Sequence, residues 1–136
     1  MITLGIDYGD VRTGVAVSDP TGFLASPVTV LQGLGKKRLA TAIAEIATEK
    51  RAQKIVLGLP LRTDGTKGDK ALLCESLADL LRVQTNLEVV LWDERFSTTL
   101  AHQHLSAANV RAKNRRGVVD AVAAVVILQG YLDSIR

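Results

Sequence analysis

The sequence predicts an α/β domain in which helices flank a mixed five-stranded sheet. Three strand-like runs open the chain, and their connections are so short that antiparallel neighbours are expected. Two later apolar runs each follow a stretch of helical periodicity, which is typical of parallel strands covered on both faces. The predicted sheet therefore has three antiparallel strands and then two parallel ones, and a strongly apolar last helix covers part of it.

Turn residues separate the three opening strands, which supports a meander. Gly9-Asp10 lies in the first connection, and Asp19-Pro20-Thr21-Gly22 forms the second. The predicted strands are Ile2–Asp7, Thr13–Ser18 and Phe23–Leu31.

The remaining elements follow from changes of hydrophobic period. The first helix begins near Lys36 and has an apolar stripe at Leu39, Ile43, Ile46 and Ala47. A second helix follows the apolar strand Ile55–Gly58; Thr66 and Asp69 resemble a capping box at its start. Its predicted stripe comprises Leu73, Leu77, Leu80 and Leu81.

The last third of the chain is predicted to hold one strand and two helices. The strand Leu87–Trp92 ends in a polar cluster, where Ser97 or Thr98 is suited to cap a helix that runs through Leu105. The final helix, Val118–Leu132, is apolar nearly all round and should be buried.

Composition limits the class of protein. The chain has 136 residues, 47% of them hydrophobic, which fits a single domain over 1–136. Its one cysteine, Cys74, lies in a leucine-rich helical pattern and is expected to be a packing residue. Because the sequence shows neither a leader pattern nor an apolar run of about 18 residues, we expect a soluble, cytoplasmic protein that does not bind membranes.

Three acidic residues stand at predicted strand ends or at a helix start. Asp7 ends the first strand, Glu94 follows the fifth, and Asp120 lies in the first turn of the last helix. Asp7 alone is as readily explained as a turn residue. Sites in open α/β sheets form outside the carboxyl ends of parallel strands, so the three acids are expected to meet at one edge of the core.

Three carboxylates with no cation among them repel one another, and a divalent ion with oxygen ligands relieves that repulsion. The acids therefore predict a site for one or two ions of Mg²⁺ or Mn²⁺, with Asp7, Glu94 and Asp120 as ligands and catalytic residues. Such ions serve phosphoryl chemistry, because they lower the pKa of water and stabilise the leaving oxygen.

Positive charge is concentrated just before Asp120. Lys113, Arg115 and Arg116 belong to the run 111–117, and this position favours contact with a phosphodiester backbone over a merely solvated loop. The net charge of +3 permits a polyanionic partner without requiring one. Arg12, close in sequence to the end of the first strand, could hold a phosphate or pair with Asp7 or Asp10.

Four separated motifs, in order along the chain, resemble the YqgF/RuvX family. The resemblance implies a ribonuclease H-like fold and a metal-dependent nuclease, described either as the enzyme that matures the 5′ end of pre-16S ribosomal RNA or as a Holliday junction resolvase. The motifs are Gly5-Ile6-Asp7-Tyr8-Gly9 with 12–19, Val56-Leu57-Gly58-Leu59-Pro60, Asp93-Glu94-Arg95-Phe96-Ser97-Thr98, and Val119-Asp120-Ala121-Val122-Ala123-Ala124.

The resemblance carries the family's acidic positions onto Asp7, Glu94 and Asp120. It also implies that substrate-binding or site-ordering roles fall to Arg12, Arg95, Ser97 and Thr98. The wider resolvase pattern often has two acids one turn apart on the last helix, whereas this chain has Ala123 there. A fourth carboxylate would have to be Asp93, but successive strand residues face opposite sides, which favours Glu94 alone.

The residues leave the substrate open between structured RNA and branched DNA, since phosphate contacts carry little sequence information. A junction resolvase needs two active sites and hence a homodimer, whereas a monomer favours RNA processing. Two alternatives come from other classes. One is a nucleotide-dependent phosphotransferase of the actin and sugar-kinase superfamily, which needs two such domains. The other is a nucleic-acid-binding protein that has lost its chemistry.

Overall fold

The fold is a five-stranded mixed sheet between helices, as the sequence predicts. The computed structural model describes the backbone of residues 1–97 and 116–136, and the side chains of residues 1–95 and 121–136. Its elements are β1 (Thr3–Asp7), β2 (Arg12–Ser18), β3 (Ala25–Gln32), α1 (Lys36–Lys50), β4 (Lys54–Leu59), α2 (Asp69–Thr85), β5 (Glu88–Asp93), a 3₁₀ turn (Glu94–Ser97) and α3 (Arg116–Ser134). The helix predicted from Ser97 or Thr98 through Leu105 lies outside the described residues.

The strand order is β3-β2-β1-β4-β5. Strands β1, β2 and β3 pair antiparallel, whereas β4 runs parallel to both β1 and β5. This arrangement confirms the predicted sheet, and it follows from connection length. Short turns join the antiparallel strands, while α1 and α2 provide the longer crossovers that parallel strands need.

The two faces of the sheet bury alternate residues of the same strands. Ile55 and Leu57 of β4 belong to a core formed with α1 and α2, whereas Val56 packs in a second core against α3. Because strand side chains alternate between faces, a continuous apolar run is needed when both faces are covered. None of the side chains 121–132 of α3 is exposed, in agreement with the predicted buried helix.

Two local predictions for α2 are wrong. Its N-cap residue is Gly68, which makes no side-chain cap, whereas Thr66 donates its backbone N–H and its hydroxyl to Asp64 in the preceding turn. The predicted stripe is also wrong at Leu73, which is 39% exposed, whereas Leu77 and Leu81 are buried and Leu80 is partly buried. The buried face of α2 comprises Ala71, Cys74, Leu77, Ala78 and Leu81, and Leu73 lies at the edge of that face.

The third strand begins two residues later than predicted. The carboxylate of Asp19 accepts the backbone N–H groups of Phe23 and Leu24, at 2.8 and 2.9 Å, so these groups serve the turn and not the sheet. Those hydrogen bonds hold the pKa of Asp19 well below its usual range. Within 1–97 and 116–136, no helix combines the length and the apolar character that a membrane crossing requires.

Candidate functional site

Asp7 lies at the carboxyl end of β1, on the face of the sheet that α3 covers. The face is identified by Gly5, where an added Cβ would lie 2.6 Å from the Cβ of Leu128 in α3. Asp7 is two residues further along the strand and therefore shares that face. As the last residue of β1, it stands just beyond the buried part of the sheet, and its side chain is half-buried.

Glu94 is the first residue of the 3₁₀ turn that follows β5. Its side chain lies over β4, because a Cβ built at Gly58 would be 3.1 Å from both Cγ and Oε1 of Glu94. Burial and, to a smaller extent, the charge of Asp7 together raise the pKa of Glu94 to about 7, whereas the charge of Lys70 acts in the opposite direction. The structure thus brings two of the three predicted acids together at the carboxyl edge of the sheet.

The backbone of Asp120 is placed at the same edge by the direction of α3. Ile127 lies against Gly58 at the carboxyl end of β4, and Tyr131 lies against Lys54 at its start. The helix therefore runs antiparallel to β4. Asp120 precedes Ile127 by about two turns, or about 10 Å along the helix, and so lies beyond the carboxyl end of the strand.

The side chain of Asp120 lies outside the described residues. Among the side chains of 1–95 and 121–136, no group of three His, Cys, Asp or Glu residues is close enough to hold a metal ion. The described part of the site is therefore the pair Asp7 and Glu94. A half-buried pair of carboxylates, in which burial and then mutual repulsion raise the pKa of Glu94, suits a hard divalent cation with oxygen ligands.

Asp93 differs from Glu94 in both direction and partner. It belongs to the face of Val89 and Leu91, which pack with α1 and α2, whereas Val90 and Trp92 pack against α3. Its carboxylate accepts hydrogen bonds from the backbone and the guanidinium of Arg95, with distances of 2.7 to 3.1 Å. These bonds lower the pKa of Asp93, and the alternation supports the choice of Glu94.

The predicted substrate-binding residues lie partly within the described chain. Arg12 begins β2 and is exposed beside the loop that follows Asp7. Arg95 contacts Asp93 and also reaches the carbonyl oxygen of Thr63 at 3.5 Å, in the loop after β4. Ser97 ends the 3₁₀ turn and Arg116 begins α3. Thr98, Lys113 and Arg115 lie outside the described residues.

Two residues that sequence reasoning did not place at the site lie near the acids. Lys70, in the first turn of α2, is exposed, and its charge lowers the pKa of Glu94. Cys74 is buried as predicted, and burial together with the charges of Glu94 and Asp7 raises the pKa of its thiol to about 11. Such a thiol is protonated at neutral pH and is a poor nucleophile. The sequence signal for Lys70 was its position just after the loop that leaves β4.

Gly58 is the third residue that the sequence did not single out, although it lies within a family motif. Its signal was a glycine inside an otherwise continuous apolar strand, which often marks a close approach of another group. Here that group is the side chain of Glu94 together with Cδ1 of Ile127.

Comparison with known proteins gives a family match over nearly the whole chain. The family described as "RuvX: Holliday junction resolvase" matches residues 1–134. A relative from Clostridioides difficile (strain 630), named "Putative pre-16S rRNA nuclease", is 42% identical over 130 residues, which cover 96% of this chain and 92% of the relative.

Two solved structures show how far the fold is shared. RuvC of T. thermophilus, in complex with a Holliday junction substrate, has a TM-score of 0.65 at 15% identity and matches 99% of this chain and 95% of its own. A ROK hexokinase from Thermus thermophilus has a TM-score of 0.51 at 29% identity, over 79% of this chain but only 39% of the hexokinase. The kinase resemblance thus covers less than half of a kinase, whereas RuvC matches end to end.

Proposed function

Because the chain belongs to the RuvX family, we propose that it is a metal-dependent nuclease that hydrolyses phosphodiester bonds in the 5′-end maturation of pre-16S rRNA. Family membership confirms the nuclease class that the sequence predicts, and the end-to-end likeness to RuvC confirms the ribonuclease H-like fold. The whole chain, 1–136, is proposed to act as one nuclease domain in the cytoplasm.

The observation that carries the proposal is the placement of Glu94 beside Asp7. Burial and then the charge of Asp7 raise the pKa of Glu94, so the ionised form of Glu94 costs free energy that a bound cation would offset. Asp7, Glu94 and Asp120 would hold Mg²⁺ or Mn²⁺, as one ion or two. When bound, the ion supplies Lewis-acid chemistry, which lowers the pKa of water and neutralises the nonbridging phosphate oxygens.

The other residues have roles in binding and orientation. Arg12 stands at the rim of the site, where it can hold a phosphate of the substrate strand. Arg95, fixed by Asp93, orders the 3₁₀ turn that carries Glu94. Ser97 and Thr98 are proposed to bind the substrate. The basic residues Lys113, Arg115 and Arg116 are proposed to contact the backbone of the nucleic acid on the approach to Asp120.

The test is cleavage by the purified protein with Mn²⁺ and three labelled substrates: a precursor rRNA fragment, single-stranded DNA and a four-way junction. We expect the RNA to be cut, and Asp7→Asn to abolish cutting. Asp79→Asn, on the exposed face of α2, is the matched control and should cut as the wild type does. If Asp7→Asn cleaves as fast as the wild type, the metal proposal is wrong.

Junction resolution is the second candidate, because the RuvX family is described as a family of Holliday junction resolvases. Resolution of a two-fold symmetric junction needs two active sites, and hence a homodimer. Sedimentation of the protein alone and with a four-way junction separates the two candidates. A monomer that cuts RNA supports maturation, whereas a dimer that makes paired cuts in the junction supports resolution.

A further inference from the structure

We propose that Gly58 is a positioning residue, because its missing side chain leaves the space in which the carboxylate of Glu94 lies beside Asp7. The inference rests on the proposed function, since it assumes that Glu94 binds the metal ion. It adds a residue on β4 to a site otherwise formed by β1, the turn after β5, and α3.

Strand register places Gly58 between the two acids. Ile6 pairs with Leu57 in the parallel pair of β1 and β4, so Asp7 is the next neighbour of Gly58 on one side. Trp92 of β5 pairs with Gly58 on the other side. Asp7, Gly58 and Trp92 therefore form a row on the face that α3 covers, and only the middle position lacks a side chain.

Glu94 occupies the space that this missing side chain leaves. It is two residues beyond Trp92, and the 3₁₀ turn brings its side chain back over β4. A Cβ at Gly58 would lie 3.1 Å from Cγ and 3.1 Å from Oε1 of Glu94, which is closer than ordinary van der Waals contact. Any side chain at this position would compete with Glu94 for the same volume.

The same Cβ would also lie 2.7 Å from Cδ1 of Ile127. Ile127 is only 3% exposed and is packed in the core beneath α3, so it has little freedom to move away. Glu94 lies at the edge of the core and is less confined. The added methyl group would therefore displace the carboxylate of Glu94, and it would strain the packing of α3 as well.

Gly5 shows that a packing role alone gives a different set of neighbours. It lies on the same face of the sheet, and the three atoms nearest to a Cβ there would belong to Leu128 and to the carbonyl group of Ala124, both in α3. Gly5 allows the helix to approach the sheet. Gly58 likewise allows Ile127 of α3 to approach the sheet, and it also lies against Glu94, an acid of the site.

Metal ligation is sensitive to displacements of this size. Ligand distances are held to within about 0.2 Å, and loss of a residue that orients a ligand typically lowers metal affinity by about 10- to 100-fold. We therefore expect Gly58→Ala to lower the affinity for Mn²⁺ by at least about tenfold.

The experiment separates positioning from packing with a second substitution. Ile127→Val removes Cδ1, the atom nearest the new methyl group, so the Gly58→Ala/Ile127→Val protein should recover most of the melting temperature lost in Gly58→Ala. Mn²⁺ affinity, measured by calorimetry without substrate, should stay at least about tenfold below that of the wild type. Ile127→Val alone should bind Mn²⁺ as the wild type does.

Gly35→Ala is the matched control for the glycine substitution, because a Cβ there meets nothing within 4 Å and the backbone has a φ of −67°. It should not alter Mn²⁺ affinity. A double-mutant cycle with Glu94→Gln completes the test. Once the Glu94 carboxylate is gone, Gly58→Ala should lower Mn²⁺ affinity no further.

The possible results are distinguishable. Wild-type protein that does not bind Mn²⁺ would overturn the proposed metal site itself. If the wild type binds Mn²⁺ and the folded Gly58→Ala/Ile127→Val protein binds it equally well, the positioning role of Gly58 is wrong while the metal site stands. Losses that add fully in the cycle with Glu94→Gln would also contradict a role exerted through Glu94.

Discussion

The two ends of β4 and β5 lie under the same helix, α3, but their charged residues are arranged differently. At the amino ends, the ammonium group of Lys54 donates to the hydroxyl of Tyr131 at 2.9 Å and lies 3.4 Å from Glu88. At the carboxyl ends, Glu94 lies near a second acid, Asp7, and its pKa is raised. At the amino ends an acid lies beside a cation, whereas at the carboxyl ends two acids lie near each other. A cluster of like charges that raises a pKa is typical of functional sites, so we expect the carboxyl end to be the functional one.

Glu88 and Glu94, at opposite ends of β5, allow the comparison to be tested with one type of substitution. Glu94→Gln should lower the rate of cleavage by at least about a hundredfold, since loss of a metal ligand exceeds the effect of losing a residue that orients one. Glu88→Gln should leave the rate unchanged, because Glu88 pairs with Lys54 far from the site. Single-turnover cleavage measures both, and equal rates for the two variants would remove the distinction between the ends.

The same two variants should differ in the pH dependence of stability. The pKa of Glu94 in the folded protein is about 7, above its usual value of 4.5, so folding favours the protonated form. The wild type should therefore lose stability as the pH rises through about 7 without metal, by roughly 1 to 3 kcal/mol for a shift of this size in a partly solvated group. Glu94→Gln should abolish this loss, whereas Glu88→Gln should retain it.

Urea unfolding at pH 5 and pH 8 in the presence of a chelator measures this difference. An equal change in the free energy of unfolding between pH 5 and pH 8, in the wild type and in Glu94→Gln, would contradict this prediction. That result would mean that the ionised form of Glu94 is not destabilised by burial and by Asp7.

At the opposite end, Tyr131→Phe should cost about 1 to 2 kcal/mol of stability, because it removes a hydrogen bond to a charged group. The pKa of Lys54 is raised, chiefly by the Tyr131 hydroxyl, so this contribution is present below pH 10.5 and is lost only as the pH rises through the higher folded pKa. The cost should thus be the same at pH 5 and pH 8. Cleavage by Tyr131→Phe should match that of the wild type, and a slower rate would show that the two ends are coupled.

The smallest effect is expected for Asp93→Asn. Asp93 faces the other side of the sheet, and Asn at this position keeps an oxygen that can accept the backbone N–H of Arg95. The turn should therefore weaken only slightly, through the loss of charge beside the Arg95 guanidinium, and Mn²⁺ affinity should stay close to that of the wild type. Calorimetry with Mn²⁺ measures this directly. A large drop in affinity would mean that Asp93 ligates the ion together with Glu94.

Much of the fold could be predicted from hydrophobic period, because burial on one face or on both dictates where apolar residues stand. The alternation of strands with helices and the buried last helix follow from that rule, whereas the strand order β3-β2-β1-β4-β5 was not predicted. Local signals were less reliable at α2, where Thr66 resembled a cap and Leu73 a core residue. Thr66 donates a hydrogen bond to Asp64 in the preceding turn and does not cap the helix. The helix is oriented so that Cys74 is buried and Leu73 is exposed.

The three acids could be selected from the sequence because each stands at an element boundary. Alternation along β5 places Asp93 on the face away from α3, but Glu94 lies beyond the end of the strand, so its position depends on the 3₁₀ turn. The sequence alone could not show that Glu94 lies over Gly58. Nor could it show that the charge of Lys70 lowers the pKa of Glu94, or that the charge of Glu94 raises the pKa of Cys74. Those relations join residues that are distant along the chain. They depend on strand register and on how closely α3 packs, which many contacts determine together and no local pattern specifies.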